Sequence, residues 1–175
     1  MKQIDPEVRE YIASDESMTR VTILQRHEGL KERLKTPETR RGIIDWLGTA
    51  EAWQDANAGF VNKCIQFLND GAKEAEADTI RPFLLHGDPF VRLRASEFLI
   101  TLYFPDRNPE ALLGVLQIML LDREDAVRTA GLRYVERAAL QDRFHAFLER
   151  WVALERGRGV RGTESLEVAE RLLGR

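Results

Sequence analysis

The sequence predicts an all-α protein built as a short solenoid of antiparallel helix pairs. Strand signals are almost absent, because no stretch alternates apolar and polar residues over a useful length. Helix signals recur along the chain, each with its own start and stop residues. In addition, the segment that begins at Asp88 reappears 36 positions later at Glu124, and self-similarity at such a period is typical of stacked helical repeats.

Start and stop signals divide the N-terminal part of the chain into four predicted helices. Asp5 and Pro6 offer an N-cap and a first helical residue that needs no N–H partner. A longer helix is expected from about Glu16 to Lys35, and another from Thr36 to Gly48. A fourth is expected from about Ala50 to Asn69. The connections are short, so neighbouring helices are expected to pack antiparallel.

The middle of the chain carries the repeat. A short apolar helix, 80–85, precedes "DPFVRLRASEFL" at residues 88–99, and an apolar helix, 109–121, precedes "DREDAVRTAGLRYV" at residues 122–135. A degraded third copy is expected in 141–175. The aligned pairs are Val91 and Val127, Arg92 and Arg128, and Ala95 and Gly131. The residues expected on one buried stripe of the first copy are Val91, Ala95, Phe98 and Leu102.

These two segments resemble the turn and second helix of HEAT-type repeats, a family that stacks antiparallel helix pairs into a right-handed superhelix. The resemblance covers about residues 76–140, with 141–175 as a degenerate C-terminal repeat and 1–70 as divergent N-terminal helices or a cap. It implies a single repeat domain over 1–175. In that family the arginines matching Arg92 and Arg128 look structural, because they bond the turn acid of an adjacent repeat.

Composition excludes several classes of function. The chain has 26 Lys and Arg against 29 Asp and Glu, a net charge of −3, which argues against a nucleic-acid partner because phosphate neutralisation dominates that affinity. The single cysteine, Cys64, excludes an internal disulfide framework and a thiolate zinc site, and we expect it to be a buried core residue. Neither a targeting signal nor a membrane span is recognisable, so a cytoplasmic protein is expected.

No catalytic residue, metal site or cofactor is predicted. The three histidines are isolated, and His27–Glu28 is the one His–Glu pair. The resemblance to HEAT-type repeats includes a di-iron hydroxylase type, in which such His–Glu pairs repeat along the array. A single pair cannot hold two metal ions, so this chain does not match that type. His86 is expected at a helix C-terminus, where a positive charge is favourable. The chain also lacks a Gly-rich phosphate loop and a nucleophile elbow.

An acidic group precedes the first clear repeat and consists of Glu74, Glu76 and Asp78. Two interpretations stay open for it. The acids either stabilise the N-terminus of a helix or contact a basic partner.

The predicted binding residues are arginines and one serine on the second helices of the repeats. The partner-binding set is Arg92, Ser96, Arg128, Arg133 and Arg137. Arg92, Arg128 and Arg161 occupy equivalent places in successive repeats. For these three an internal ladder with turn acids, which Asp88, Glu124 and Asp125 could supply, is the alternative to a ligand-binding row. A loop without an acid provides a second set, Arg156, Arg158 and Arg161. That set is interpreted either as an anion contact or as a solvated loop.

Three functions stay open. The first is a non-enzymatic module that binds another protein on its concave face, for which size and acidity suggest a toxin-neutralising immunity protein. The second is a DNA-binding protein or an alkylpurine DNA glycosylase, a family similar in its HEAT-like repeats, with Trp46, Trp53 and Trp151 as aromatic candidates. The third is a self-assembling structural subunit, because Leu172 and Leu173 would leave the last helix incompletely covered.

The helix from Pro109 to Leu121 is apolar nearly all round and is therefore expected to be covered on most sides. Leu116→Ala should lower the free energy of unfolding by about 2–5 kcal/mol, because it removes buried surface and leaves a cavity. Thermal unfolding followed by circular dichroism measures the effect. An unchanged Tm would contradict a central position for this helix.

Overall fold

A computed structural model describes residues 4–14, 17–104 and 107–174. These residues are helical with connecting turns and contain no strand, which confirms the all-α prediction. In the N-terminal part the α-helices are α1 Pro6–Ala13, α2 Ser17–Arg26, α3 Leu30–Arg33, α4 Pro37–Leu47, α5 Ala58–Asn69 and α6 Ala77–Ile80. They are followed by α7 Pro89–Tyr103, α8 Pro109–Leu120, α9 Asp125–Arg137, α10 Gln141–Gly157 and α11 Glu164–Leu172. Short 3-10 helices span Ala50–Trp53, Asp55–Asn57, Glu74–Glu76 and Arg81–Leu85.

The chain divides into two compact units, Met1–Thr101 and Leu102–Arg175. The boundary falls near the end of α7, so most of that helix belongs to the first unit. The single repeat domain over 1–175 stays a prediction. No helix within the described ranges combines the length and apolarity that a bilayer crossing requires.

Two predicted helix starts in the first unit are confirmed by their caps. The Asp5 carboxylate accepts hydrogen bonds from the backbone N–H groups of Glu7 and Val8 at 3.0 and 3.2 Å. Thr36 Oγ1 accepts from Thr39 N at 3.3 Å. Each cap satisfies donors that the first helical turn leaves without an intrahelical partner.

Two long helices predicted in the first unit are interrupted. The segment predicted from Glu16, which lies outside the described residues, to Lys35 forms α2 and α3 instead. Gly29 separates them with φ +74°, a left-handed conformation that glycine adopts at no steric cost. In the segment predicted from Ala50 to Asn69, α5 begins only at Ala58. Before it, Asn57 Nδ2 donates to Glu51 O at 2.9 Å, and such side-chain bonds compete with helical ones.

A buried ion pair in the first unit links α4 to the Glu74–Glu76 turn. The Arg40 guanidinium meets both carboxylate oxygens of Glu76, with Nη2 to Oε2 at 2.6 Å. Arg40 also donates to the carbonyls of Leu68 at 2.5 Å and Asp70 at 3.1 Å. Glu76 accepts from Lys73 N at 3.1 Å as well, so this acid takes the first of its two proposed roles, support of a helix start, and also neutralises a cation 36 positions away.

In the second unit α9 packs against α8 and α11, and α10 packs against α11. Val127 and Gly131 of α9, which align with the stripe residues Val91 and Ala95, are buried. Leu116 of α8 is fully buried. However, Ile118 is 39% exposed, so α8 leaves part of its apolar surface open to solvent.

The helix α7 contains the boundary between the two units. The stripe predicted on α7 at Val91, Ala95, Phe98 and Leu102 is buried throughout.

The approach of α8 to α9 depends on Gly131. A Cβ atom at this position would lie 2.9 Å from the Cβ of Met119 and 3.4 Å from a methyl carbon of Leu120. The Met119 Cβ is fixed to its backbone and cannot rotate away. Gly131→Ala should therefore lower the free energy of unfolding by about 1–3 kcal/mol, measured by urea denaturation.

Gly114→Ala is the matched control, because Gly114 lies inside α8 with no atom near the added Cβ. It should leave stability unchanged or raise it by up to about 1 kcal/mol, since alanine favours helix. Equal stabilities for the two alanine variants would show that the helices do not approach as described.

Candidate protein-binding surface

The arginine of the first repeat is an internal residue. Arg92 is 5% exposed, and its Nη1 donates to the carbonyls of His86 at 2.9 Å and Gly87 at 2.8 Å. Ser96 is buried one turn further along α7, and its hydroxyl donates to Arg92 O at 2.9 Å. Neither side chain is presented to a partner in this conformation, which favours the structural alternative for Arg92.

Arg128 makes the matching contact in the second repeat. Its Nη1 donates to Asp122 O at 2.8 Å, and its Nη2 pairs with Asp125 Oδ1 at 3.0 Å. In both repeats the arginine therefore bonds the carbonyl six positions before it. The family resemblance implied an acid of an adjacent repeat, whereas the acid here belongs to the first turn of the same helix. Ser165 of α11, with its hydroxyl 3.5 Å from Arg128 Nε, also bonds Asp125.

Arg133 and Arg137 are exposed on α9, as predicted for ligand candidates. Arg133 forms an ion pair with Glu164 of α11, and the Arg137 guanidinium lies 5.3 Å from the centroid of the Tyr134 ring. Exposed pairs of this kind contribute little to stability. Both guanidinium groups are therefore accessible to a partner at small cost.

Two of the three loop arginines pair with acids that lie outside the loop. Arg156 belongs to α10 and pairs with Glu170 of α11 at 2.6 Å, and Arg158 pairs with Glu155 at 3.3 Å. Glu155 comes from the helix before the loop and Glu170 from the helix after it. Arg161 is exposed and has no ion-pair partner among the residues that the structure describes, so the internal ladder predicted for it is not formed there.

Two of the predicted arginines, Arg128 and Arg158, line one cleft of the second unit. This cleft, called here the Leu121 cleft, has a volume of about 490 Å³. Leu121 is 69% exposed and Leu154 is 51% exposed, and the half-buried Trp151 lies with them along the lining. The charged residues that line it are Asp122, Arg123, Arg128, Glu155 and Arg158.

The exposed leucines of this cleft were not singled out by the sequence patterns. Leu121 continues the apolar run of α8 but comes after the last residue of that helix. In α10 the buried residues Phe144, Leu148 and Val152 are spaced by four. Leu154 lies six positions after Leu148, which turns it roughly 120° from that stripe in an α-helix. A helical projection of α10 would therefore have identified Leu154 as an exposed apolar residue.

The tryptophans proposed for the DNA-directed alternative have different surroundings. In the first unit, Trp46 is buried with its ring edge-on to Phe60, 5.0 Å between centroids. Trp53 stacks on Phe83 at 4.7 Å with 10° between the ring planes. In the second unit, Trp151 lines the Leu121 cleft.

The histidines and the cysteine have structural surroundings. His27 lies between two glutamates of α1, with Nδ1 3.1 Å from Glu7 and Nε2 3.3 Å from Glu10. His86 follows a 3-10 helix as predicted, but its Nδ1 accepts a hydrogen bond from Asp88 N at 3.0 Å.

Cys64 is fully buried, as predicted for a core residue. Burial raises the pKa of its thiol, because the thiolate would lose its hydration. A thiol in this state is a poor nucleophile. Within the described part of the chain, no group of three or more His, Cys, Asp and Glu residues is arranged to hold a metal ion.

The contacts of Arg92 predict a large effect of its removal on stability. Arg92→Met keeps the length of the side chain but deprives two carbonyls of a charged donor. We expect the free energy of unfolding to fall by about 1.5–3 kcal/mol, measured by urea denaturation.

Arg94→Met is the control, because Arg94 forms a half-exposed pair with Glu97 of the same helix at 2.5 Å. Its loss should cost about 1 kcal/mol or less. If both methionine variants were equally stable, the bonds of Arg92 to the turn would not be a major contribution.

Comparisons with protein-family models, with curated proteins and with solved structures find no match to this chain.

Proposed function

We propose that this chain is a non-enzymatic helical-repeat module that binds another protein through the Leu121 cleft. The observation that carries the proposal is the exposure of Leu121 and Leu154 beside Trp151, at a cleft with arginines along its lining. Apolar side chains that cluster on a surface within a polar rim are typical of protein interaction sites. Tryptophan and arginine are also the residues that most often dominate binding energy.

The repeat assignment is part of the proposal. The HEAT-like reading of residues 76–140 is supported by the shared bond of Arg92 and Arg128 to the carbonyl six positions earlier. It is also supported by Leu85, which aligns with Leu121 and is 79% exposed at the end of its own helix. A right-handed stack of antiparallel pairs would present such equivalent positions at regular intervals.

The pairing of the arginines supports a protein partner over a nucleic acid. Arg128, Arg133, Arg156 and Arg158 each have a carboxylate nearby, so their charge is not gathered into a phosphate-binding face. Small size and a net charge of −3 support the narrower form of the proposal, a toxin-neutralising immunity protein in the cytoplasm.

The test is affinity capture from the source cells with wild-type protein and with Leu121→Glu/Leu154→Glu as baits. Both side chains are exposed, so the double variant should keep its fold, and circular dichroism checks this. We expect a partner to bind the wild-type chain and to be lost from the double variant, because two buried carboxylates would lack partners in the interface.

Met18→Glu is the matched control, because Met18 is also exposed but belongs to α2 of the first unit. It should retain the partner. A partner that binds the wild type and the double variant equally would contradict the Leu121 cleft as the binding surface. Recovery of the chain itself as the captured protein would instead support the self-assembling subunit.

A further inference from the structure

A second cleft, in the first unit, combines apolar walls with a basic rim. It has a volume of about 460 Å³. Its apolar lining consists of Tyr11, Leu24, Leu34, Pro37 and Phe67. Its rim carries Lys31, Lys35 and Lys73. We call it the lysine cleft.

The lysine cleft contains a larger share of lysine than the chain as a whole. The chain has 21 arginines but only five lysines, and three of the five line this cleft. All three are exposed. Lysine is a flexible point charge rather than a planar fork, so this rim differs in chemistry from the arginine pairs of the second unit.

The rim keeps an excess of positive charge. Lys35 pairs with Glu32 at 3.4 Å, both side chains being exposed. Lys31 and Lys73 have no ion-pair partner among the described residues, and Asp70 is the one acid among the residues that line the cleft. Arg40 also lines it, but its charge is neutralised by the buried Glu76.

The same buried pair fixes the position of the rim. Arg40 donates to the carbonyls of Leu68 and Asp70, and Glu76 accepts from Lys73 N at 3.1 Å. The segment from Leu68 to Lys73 is therefore held against α4 from both ends. Because the backbone of this segment is already ordered, binding a ligand there would cost the protein little conformational entropy.

We propose that the lysine cleft binds an acidic segment of a protein partner. An apolar side chain of the segment enters between Leu24, Leu34 and Phe67, and its neighbouring Asp or Glu carboxylates meet the three lysines. Charge complementarity of this kind speeds association and selects among partners. A phosphate backbone would leave the apolar walls without a complementary group. This inference rests on the proposed function as a protein-binding module and adds a second contact surface with a stated partner chemistry.

The experiment selects short random peptides by display on the full-length wild-type protein. Enriched peptides should carry an excess of Asp and Glu around at least one large apolar residue. Their affinities are then measured by fluorescence polarisation at low and high salt. Binding should weaken with salt, because screening reduces attraction between exposed charges.

The variant that tests the rim is Lys31→Gln/Lys35→Gln/Lys73→Gln, which should bind the enriched peptides roughly tenfold more weakly. Lys63→Gln is the control for a lysine outside the cleft, since Lys63 does not line it. Each single variant, Lys31→Gln, Lys35→Gln or Lys73→Gln, removes the same one charge and should weaken binding where Lys63→Gln does not. Lys63→Gln should bind the peptides as the wild type does. Failure to enrich any peptide, enrichment of peptides without acids, or equal affinity of the triple variant would each overturn the proposal.

The Leu121→Glu/Leu154→Glu variant separates this proposal from the proposed function. It should bind the acidic peptides as tightly as the wild type does, because the lysine cleft belongs to the other unit. If it loses them while the triple lysine variant keeps them, the peptides bind at the Leu121 cleft. That result would overturn the lysine cleft and leave the proposed function standing.

Discussion

The bond from an arginine to the carbonyls of its own preceding turn is the interaction on which the turns before α7 and α9 both depend. Arg92 and Arg128 each enter the space between the end of one helix and the start of the next. Carbonyls at the end of a helix have no intrahelical partner, and a guanidinium has enough donors to satisfy more than one of them. In the second unit Arg128 closes the turn between α8 and α9, which pack against each other.

This use of arginine determines which surfaces remain for binding. A guanidinium that is committed to turn carbonyls is buried, as Arg92 is, or is held by neighbouring acids, as Arg128 is. Besides the exposed arginines Arg133, Arg137 and Arg161, two other kinds of group are available to contact a partner. The second unit offers exposed apolar side chains at the Leu121 cleft, and the first offers a lysine rim around the lysine cleft. The two clefts therefore differ in charge and in the partner chemistry that suits them.

The basic and acidic residues of this chain, which are nearly equal in number, form two different kinds of ion pair. Several arginines, for example Arg133 and Arg171, pair with acids at the surface, where the pair contributes little to stability. The Arg40–Glu76 pair is buried, and loss of either partner would leave a charge without solvation. Its position explains why one acid of the predicted Glu74–Asp78 group is internal, while Glu74 and Asp78 remain exposed. The same pair orders the segment that carries Lys73, so a stability element of the fold also shapes a candidate site.

The sequence by itself determined what local and periodic signals encode: the helical class, the caps at Asp5 and Thr36, the 36-residue repeat, the buried stripe of α7 and the burial of Cys64. These features depend on residues within a turn or two of each other, or on spacing that repeats. The meeting of Leu121 with Leu154 at one cleft, the pairing of Arg40 with Glu76 and the meeting of Lys31 and Lys35 with Lys73 along another cleft depend on the tertiary structure alone. Each of these joins residues far apart in the chain. No pattern along the chain carries that information, because packing between helices, and not local preference, decides which distant side chains meet.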